Sequence, residues 1–430
     1  MTVEKKVPEI RFTGFDGEWE HFSIECCSSL ITKGTTPMTI GRSFVDSGIS
    51  FVKVESVDEI GNINQSKFAY IDVETDQILA RSRINENDLL ISIAGALGRA
   101  AIVKKEILPA NTNQALAIVR LKNDSPVTVE FLYHFTKTKD FRDFVDASAS
   151  QGAQPNLSLG DISNVRILAP KKEEQATIGN YFQKLDSLIN QHQQKHDKLS
   201  HLKKAMLEKM FPKQGETVPE IRFKGFSGEW KEKSFGACFA NVPNNTLSRA
   251  ELNYRVGLAK NIHYGDVLIK FGETLDADSE LIPFITNNEV VNKLTHTALQ
   301  SGDIVMADAA EDNTVGKCTE LLNVGELLVF SGLHTIAVRP TLSFASKYLG
   351  YYLNSASYHD QLSSLMQGTK VLSISKTAIQ NTLVVFPKNV EEQTAIGNYF
   401  QKIDTLINQH QQQITKLTNI KQACLSKIFV

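Results

Sequence analysis

The chain has 430 residues, of which 42% are hydrophobic and 22% are charged. This length exceeds that of one ordinary compact domain, and the composition excludes a disordered chain. The N-terminus lacks the apolar core of a secretory signal, and no apolar run approaches the roughly 20 residues that span a bilayer. The five cysteines show no paired metal-ligand spacing, so we expect free thiols and a cytoplasmic location.

The charge balance predicts no general attraction to nucleic acid, because the net charge is −2. Residues 21–170 carry 15 Lys and Arg against 17 Asp and Glu, and residues 231–388 carry 13 against 15. Only residues 171–211 are basic, with 8 against 5. A role in DNA binding would therefore require basic side chains gathered on one face, or partner subunits that attract the phosphates.

The first element along the chain is a short segment that occurs twice. Val7-Pro-Glu-Ile-Arg-Phe-Thr-Gly-Phe-Asp-Gly-Glu-Trp19 returns 211 positions later as Val218-Pro-Glu-Ile-Arg-Phe-Lys-Gly-Phe-Ser-Gly-Glu-Trp230. Residues 173–192 return, nearly unchanged, at residues 391–410, which is 218 positions later. Both offsets are close to half of the chain. We therefore interpret the protein as one unit that is written twice.

Two stretches between these repeats differ in sequence but share a skeleton. Residues 88–92 and residues 303–307 each predict a short buried strand. Residues 130–135 and residues 347–352 each predict the start of a helix that has aromatic side chains at positions i and i+4. These features predict an α/β (α+β) fold with two variable domains and a pseudo-twofold internal repeat. The predicted boundaries are 1–20 for an N-terminal repeated segment, 21–170 for the first variable domain, 171–211 for the first long helix, 212–230 for a linker with the second repeated segment, 231–388 for the second variable domain, and 389–430 for the second long helix.

The two repeated helices have the heptad pattern of coiled-coil strands. Apolar residues alternate at spacings of four and three over about five heptads. Because both helices belong to one chain, we favour an intramolecular antiparallel coiled coil over self-dimerisation. Asn389 and Glu392 predict a capping box at the start of the second helix. The predicted seam residues are Ile178, Phe182, Leu185, Ile189, His192, His196, Leu199, Lys203, Met206 and Met210 in the first helix, and Ile396, Phe400, Ile403, Ile407, His410, Ile414, Leu417, Lys421, Cys424 and Ile428 in the second.

This layout resembles the specificity (S) subunit of a type I restriction-modification system. The local motifs are Pro170-Lys-Lys-Glu-Glu-Gln175-Ala-Thr-Ile178 and Pro387-Lys-Asn-Val-Glu-Glu-Gln393-Thr-Ala-Ile396, which are similar to the family's proline, Glu-Gln and isoleucine at the start of each conserved helix. The loop of residues 151–158 is similar to the polar loop that closes a target-recognition domain. The second copy, Gln367-Gly-Thr-Lys370-Val-Leu-Ser373, is shorter and has lysine in place of glutamine.

The resemblance implies a function that depends on partners. Each target-recognition domain would read one half of a bipartite, asymmetric site in double-stranded DNA, and the coiled coil would set the spacer between the halves. The helices would dock two modification (methyltransferase) subunits, which use S-adenosylmethionine. Two restriction subunits, which are ATP-dependent and translocate and cleave DNA, would complete the complex with ATP and Mg²⁺. The chain itself is expected to bind no cofactor.

Side chains that can read base edges or bind phosphate occur in both variable domains. Arg, Asn, Gln and Lys are the types that pair with guanine and adenine edges, although for any one of them a solvated surface position is the simpler interpretation. The acidic residues Asp303, Asp308, Glu311 and Asp312 fit no Ca²⁺ loop, and we interpret them as a solvated strand and turn. His192 and His196 are interpreted as polar seam residues and not as metal ligands. The DNA-binding candidates are Arg81, Arg83, Asn111, Asn113, Gln114, Gln151, Gln154, Asn156, Arg249, Asn287, Asn288, Gln367 and Lys370.

The sequence lacks the motifs of the catalytic subunits. It has no Gly-x-x-x-x-Gly-Lys-Ser/Thr loop for ATP, no Asn/Asp-Pro-Pro-Tyr/Phe motif of adenine methyltransferases, and no nuclease cluster. We therefore expect no catalysis by this chain alone. A fused methyltransferase-nuclease would need several hundred further residues. Two alternatives stay open: a specificity subunit of another multi-subunit restriction-modification class, and a coiled-coil adaptor that does not bind DNA.

Overall fold

A computed structural model describes residues 6–149 and 155–430. The chain divides into two compact units: the first comprises the chain up to His192 together with Gln412–Val430, and the second comprises Gln193–Gln411. Each unit contains one variable α/β domain, one copy of the repeated segment and parts of both long helices.

The first unit is built on short strands, and those at Leu89–Ser92 and Leu116–Leu121 consist mostly of aliphatic residues, which suit a buried pleated surface. Strands β2, β9, β6 and β7 form an antiparallel sheet in that order, and β4, β3, β8 and β5 form a second sheet in which β3 and β8 are parallel. The strands are β1 (Glu20–Ser23), β2 (Ser28–Lys33), β3 (Ile49–Val52), β4 (Ala69–Ile71), β5 (Arg83–Ile84), β6 (Leu89–Ser92), β7 (Ala100–Ile102), β8 (Ala110–Thr112), β9 (Leu116–Leu121) and β10 (Arg166–Ala169). The helices are α1 (Ile24–Cys27), α2 (Val73–Ile78), α3 (Val129–Phe135), α4 (Lys139–Ser148) and α5 (Leu159–Asn164).

The second unit repeats this plan with one larger sheet. Strands β12, β21, β17, β19 and β15 form a five-stranded sheet, and β13, β16, β14 and β20 form a four-stranded sheet in which β14 and β20 are parallel. The strands are β11 (Lys231–Ser234), β12 (Phe239–Val242), β13 (Leu252–Asn253), β14 (Ala259–Ile262), β15 (Thr274–Asp276), β16 (Phe284–Ile285), β17 (Ile304–Ala307), β18 (Ala309–Ala310), β19 (Cys318–Leu322), β20 (Leu328–Ser331), β21 (Thr335–Pro340), β22 (Leu372–Ser373) and β23 (Leu383–Phe386). The helices are α7 (Phe235–Cys238), α8 (Tyr264–Ile269), α9 (Asn288–Leu294), α10 (Tyr348–Asn354) and α11 (Ala356–His359).

Each variable domain is closed by a pair of strands that joins its two ends. In the first unit β1 pairs antiparallel with β10, so that Phe22 lies opposite Ile167. In the second unit β11 pairs antiparallel with β23, so that Lys233 lies opposite Val384. The first strand of each pair directly follows the repeated segment, and the second directly precedes a long helix. The repeated segment and the long helix therefore enclose an inserted domain.

Each variable domain contains an equivalent ion pair, which links one strand of a sheet to the residue just before the strand that is paired with it. Arg120 donates from Nε and Nη2 to Asp88 at 2.8 and 2.7 Å, and Arg339 donates in the same way to Asp303 at 2.8 and 2.7 Å. Both carboxylates are buried, and buried carboxylates require such partners. The interpretation of Asp303 as part of a solvated segment is therefore wrong: it is a buried structural residue.

The long helices are α6 (Lys172–Lys209) and α12 (Val390–Ile428), and they pack antiparallel as predicted. In the first unit Asp186 of α6 contacts Lys421 near the end of α12, and in the second unit Lys203 near the end of α6 contacts Asp404 near the start of α12. All the residues placed at the seam are buried or half-buried, whereas the residues between them are mostly exposed. The fold predicted from the heptads, an intramolecular antiparallel coiled coil with two α/β domains, is confirmed.

The start of α12 differs from the prediction in one detail. Asn389 caps the helix by accepting a hydrogen bond from the backbone N of Glu391 at 2.7 Å. The carboxylate of Glu392, however, binds Arg222 and does not complete a capping box. The guanidinium of Arg222 donates hydrogen bonds to both carboxylate oxygens of Glu392. Such a bidentate charged pair is stronger than a hydrogen bond between the carboxylate and a backbone N–H at the start of the helix.

Candidate functional site: two recognition domains and their joints with the helices

A glutamine connects each variable domain to the start of a long helix. The side chain of Gln175 is buried, its Oε1 accepts from the backbone N of Thr128 at 2.8 Å, and its Nε2 donates to the carbonyls of Pro126 and Pro170 at 2.7 and 2.8 Å. Its buried amide therefore satisfies backbone groups of the domain and of the segment that precedes the helix.

Gln393 has the same role in the second unit. Its Oε1 accepts from the backbone N of Ala345 at 2.9 Å, and its Nε2 donates to the carbonyl of Pro387 at 2.9 Å. The proline and the glutamine of the repeated motif are thus in direct contact in both units, as Gln175 with Pro170 and Gln393 with Pro387. The motif that carries the resemblance is a structural joint.

The glutamate before each glutamine binds the repeated segment. Arg11 forms a bidentate pair with Glu174, from Nε to Oε1 at 2.8 Å and from Nη2 to Oε2 at 2.7 Å. Arg222 pairs with Glu392 in the same way, at 2.6 and 2.8 Å. Both glutamates are buried, so the arginine is needed to compensate their charge.

An aromatic cluster completes each joint. In the first unit the rings of Trp19, Phe131, Phe182 and Phe429 form a chain in which neighbouring centroids lie 5.0–6.1 Å apart. They come from the repeated segment, α3, the start of α6 and the residue after α12. All four rings are buried, and aromatic pairs at these distances contribute more to stability than their buried area alone accounts for.

The second unit contains the equivalent cluster. Phe211 lies 6.3 Å from Trp230, 6.0 Å from Tyr348 and 5.9 Å from Phe400, measured between ring centroids. The heptad pattern places Phe211 at the end of the first long helix and assigns no role to Phe429. The signal that could have identified them is their equal position, one residue after the last seam residue of each helix.

A lysine in each seam pairs across the two helices. In the second unit Lys203 contacts Asp404 at 2.7 Å and Glu273, just before β15, at 2.7 Å. Burial disfavours the charged ammonium, but the two carboxylates outweigh it and raise the pKa of Lys203. In the first unit the corresponding Lys421 contacts Asp186 at 2.5 Å. The seam lysines are therefore charged cross-links between antiparallel helices.

The residues that face these lysines differ between the units. The hydroxyl of Tyr351 on α10 donates to Asp404 at 2.7 Å. His134 holds the equivalent position on α3; its side chain is buried, and its Nδ1 has no hydrogen-bond partner among the residues that the structure describes. Burial, together with the charges of Lys421 and Lys137, lowers the pKa of His134 to about 3. The first unit therefore keeps a neutral imidazole where the second keeps a tyrosine.

The candidate DNA-binding residues of the first domain fall into two groups. Asn111 is buried and donates to Asp76 at 3.1 Å, and Arg83 donates to the same carboxylate from Nε at 2.9 Å. Gln114 is exposed in the turn between β8 and β9 and accepts from the hydroxyl of Thr36, next to half-buried Asn113. Arg81 and Asn156 are exposed, whereas Gln151 and Gln154 lie outside the described residues.

The candidates of the second domain lie at three places. Arg249 is half-exposed and pairs with buried Asp266 at 2.7 Å, and its Nη1 also donates to the hydroxyl of Tyr254 at 3.2 Å. Asn287 caps α9 through the backbone N of Glu289, and the adjacent Asn288 accepts from the backbone N of Leu258. These interactions fix the side chains without burying them.

The third place is a hairpin loop. The backbones of Gln367 and Ser373 exchange hydrogen bonds of 2.9 and 2.8 Å, and Lys370 is exposed within the loop that they close. Gly368 has a φ of 121°, and a Cβ there would overlap the carbonyl oxygen of Val371. Only glycine can therefore make this turn.

Within residues 6–149 and 155–430, no helix combines the length and apolar character needed to cross a bilayer. The same residues contain no group of three or more His, Cys, Asp or Glu side chains arranged to hold a metal ion.

The chain is similar to known specificity subunits of type I restriction enzymes. Residues 49–201 match the model of the type I restriction modification DNA specificity domain. The chain is 27% identical to the type I restriction enzyme EcoBI specificity subunit of Escherichia coli over 183 residues, which are 41% of this chain and 37% of that relative. The match thus spans little more than a third of that relative's length. The chain is 23% identical to the type I restriction enzyme MjaVIII specificity subunit of Methanocaldococcus jannaschii, over 80% of this chain and 78% of the relative.

Solved structures show the same fold. The S subunit of a type I restriction-modification system from M. genitalium is similar with a TM-score of 0.58 and 14% identity, over 99% of both chains. A chain from a structure of the type I R-M system is similar with a TM-score of 0.52 and 18% identity, over 95% of this chain and 96% of that one. The chain thus contains a match to the type I restriction modification DNA specificity domain over residues 49–201, and along most of its length it is similar to type I specificity subunits in sequence and in fold.

Proposed function

We propose that this chain selects the DNA sequence on which a type I restriction-modification complex acts, and that it catalyses no step itself. Each variable domain would read one half of a bipartite site. The two domains are built on one skeleton but differ in sequence and in sheet size, so the two half-sites would differ. The duplicated joint carries this proposal, because it attaches two different domains to the same helical frame.

The DNA-reading surface would consist of polar side chains that the fold leaves accessible. Arg81, Gln114 and Asn156 in the first domain, and Lys370 and Asn288 in the second, are exposed. These are types that hydrogen bond to base edges or bind phosphates. Asn287, Gln367 and half-buried Asn113 are secondary candidates near them. We leave Gln151 and Gln154 as proposals from the sequence alone.

Three candidates are better explained by the fold. Asn111 is buried, and Arg83 and Arg249 neutralise the carboxylates of Asp76 and Asp266, which are buried or nearly so. If either arginine turned away to bind DNA, its carboxylate would lose its charged partner, which would lower the stability of the domain. We therefore assign these three residues a supporting role within their domains.

The coiled coil would set the spacer between half-sites and dock two methyltransferase subunits, which supply S-adenosylmethionine-dependent methylation. Two restriction subunits would add ATP-driven translocation and Mg²⁺-dependent cleavage. The complex would act in the cytoplasm. Partners would also provide much of the attraction to phosphates, since the chain has a net charge of −2 and its variable domains are slightly acidic.

The test is to express the chain with its methyltransferase in a host without other adenine methylation and to map methylated adenines by sequencing. We expect one bipartite, asymmetric motif that is absent when the chain is omitted. Methylation that is absent or lacks a motif in the presence of a folded complex would favour a coiled-coil adaptor. A motif in one continuous block would favour another multi-subunit restriction-modification class.

A further inference from the structure

The residue after β6 and the residue after β17 occupy equivalent positions in the two variable domains. The backbone N of Ile93 donates to the carbonyl of Ala115 at 2.8 Å, and the backbone N of Asp308 donates to the carbonyl of His334 at 3.1 Å. The carbonyls of Ile93 and Asp308 also accept equivalent backbone hydrogen bonds, both of 2.9 Å. Ala115 directly precedes β9, and His334 directly precedes β21. The same backbone frame is therefore present in both domains.

The side chains on this frame differ in chemistry. In the first domain Ile93 and Ala115 are apolar and buried. In the second domain Nδ1 of His334 lies 3.3 Å from Oδ1 of Asp308, and these two side chains are 52% and 26% exposed. Because the first domain builds the frame from apolar residues, the fold does not require a histidine and an acidic residue there. The polar pair distinguishes the second domain from the first.

The ring of His334 is held by its surroundings. Tyr264 packs against it in a T-shaped arrangement, with ring centroids 5.3 Å apart. The first domain has Val54 at the equivalent position, two residues after the end of β3, as Tyr264 lies two residues after the end of β14. The backbone of His334 has a φ of 54°, in the left-handed region that residues other than glycine rarely adopt. An imidazole is therefore present where glycine would be less strained.

A cleft lies beside the pair. Its volume is about 440 Å³, and its lining includes Asp308, His334, Gln367 and Ser373. The hairpin loop that Gln367 and Ser373 close carries the exposed Lys370. Hydrogen-bonding side chains are thus located near a cation that can bind phosphate, which is the combination that a DNA-reading surface needs.

Contact with the carboxylate determines which atom of the imidazole can bind a base. Asp308 favours the tautomer of His334 whose proton is on Nδ1, and in this tautomer Nε2 is a hydrogen-bond acceptor. In the major groove adenine N6 and cytosine N4 are donors, whereas guanine O6 and thymine O4 are acceptors. An accepting Nε2 therefore distinguishes adenine and cytosine from guanine and thymine on the strand that it faces.

We propose that His334 reads one base of the second half-site by accepting a hydrogen bond at Nε2 from the exocyclic amine of adenine or cytosine, and that Asp308 positions the ring; this rests on the proposed function above. The first domain supports this placement, because the exposed Gln114 directly precedes Ala115 on the equivalent turn. Each domain would present a different base-reading side chain on the same turn, so the two half-sites would differ there.

The experiment uses the full chain in complex with its methyltransferase. Once the motif of the unaltered chain is mapped, methylation rates are measured on duplexes that are changed at one position of the second half-site at a time. His334→Gly removes the ring and suits the positive φ, and Asp308→Ala removes the positioning carboxylate. His296→Ala is the matched control, because His296 is an exposed histidine of the same domain outside the lining of the cleft. Thermal unfolding and native mass spectrometry establish that each variant is folded and assembled.

We expect His334→Gly to weaken the base preference at one position by about tenfold and to leave the first half-site unchanged. Asp308→Ala should weaken the preference at the same position by a smaller factor. A purely structural effect would instead slow methylation on every duplex equally. The control should change no preference.

Base analogues test the acceptor role of Nε2. At the position that His334→Gly relaxes, purine replaces adenine or 2-pyrimidinone replaces cytosine, so that the exocyclic amine is lost. This replacement should slow methylation by the unaltered complex about tenfold and should have no further effect on the His334→Gly complex. Equal slowing of both complexes overturns the proposed hydrogen bond.

Unchanged base preferences in an assembled His334→Gly complex overturn the proposal, as does a loss spread evenly over all positions. If His334→Gly does not assemble, Asp308→Ala decides: relaxation at one position that depends on the amine supports the proposal, and unchanged preferences contradict it. Failure of the proposed function is a separate result, because then the unaltered chain itself would direct no bipartite motif.

Discussion

Arg11 and Glu174 are 163 positions apart in the chain and form a bidentate ion pair at 2.8 and 2.7 Å, with the glutamate side chain only 2% exposed. Arg222 and Glu392 repeat this geometry in the second unit. The pair fixes the repeated segment to the start of a long helix. It joins the residues next to both ends of the inserted domain.

We predict that Arg11→Ala destabilises the first unit by about 3–5 kcal/mol, because it leaves a carboxylate buried without a partner. The chain has two tryptophans, one in each aromatic cluster, so each unit can be followed by its own fluorescence. Urea unfolding is measured through Trp19 in a Trp230→Phe background. Arg222→Ala, measured through Trp230 in a Trp19→Phe background, is the matched variant. An unfolding free energy within 1 kcal/mol of the parent would contradict a structural role for the pair.

A second prediction concerns the glutamine joints. Gln175→Leu keeps the approximate size of the side chain but leaves the backbone N of Thr128 and the carbonyls of Pro126 and Pro170 without this partner. Each buried polar group left unsatisfied costs about 1–3 kcal/mol. We expect Gln175→Leu to lower the stability of the first unit by several kcal/mol, and Gln393→Leu to do so in the second. Leucine at the exposed Gln194 is the control and should have little effect.

The sequence predicted the features of the fold that depend on periodicity and repetition. The two long helices follow from spacings of four and three that recur in both halves of the chain. Antiparallel pairing followed from two similar helices in one chain. These features are local or duplicated, so a single sequence contains them.

Contacts between distant residues were not predicted. The side chain of Glu392 was assigned to a local cap, but it binds Arg222, 170 positions away. Asp303 was predicted to be solvated and Asn111 to contact DNA, because a polar residue is expected at the surface unless a buried partner for it is known. Their partners, Arg339 and Asp76, are set by strand register and loop packing, which a hydrophobic pattern does not specify.

The buried histidine predicts a pH dependence of stability. His134 has a pKa of about 3 in the folded chain, against an ordinary value of 6.5. Between these values the unfolded chain binds a proton that the folded chain does not, so the free energy of unfolding falls as the pH falls. The slope approaches about 1.4 kcal/mol per pH unit below pH 6.

His134→Tyr, which copies Tyr351 of the second unit, should remove this part of the slope. Urea unfolding of the first unit between pH 7.5 and 4.5, followed through Trp19, measures it. Tyr351→Phe in the second unit serves as a control for altered packing without a histidine. If the parent and His134→Tyr lose stability equally over this range, His134 does not titrate between the folded and unfolded states as stated.

A fourth prediction separates base reading from structural support in the first domain. Gln114→Ala removes an exposed amide, and a bidentate contact with adenine provides about 1–3 kcal/mol of discrimination. We expect it to relax one position of the first half-site by roughly tenfold to a hundredfold, without a loss of stability. Asn111→Ala should lower stability and leave the methylation motif unchanged. If the motif changed with Asn111→Ala and not with Gln114→Ala, the base contacts would belong to the interior of the β8–β9 region and not to its exposed turn.

The last prediction is that specificity can be exchanged one domain at a time. Strand pairing between β1 and β10 closes the first domain, so residues 20–170 can be replaced by the same region of a relative while Trp19 and Gln175 are retained. The graft must supply the backbone partners of Gln175 and an aromatic residue at position 131, because these complete the joint. Given those contacts, the helices and the second unit keep their own interactions. Methylation mapping should show a new first half-site and an unchanged second half-site.

A graft that folds, binds its methyltransferase and alters both half-sites would show that the domains do not read DNA independently. The specificity would then depend on the frame that the helices form as well as on the domain that was exchanged.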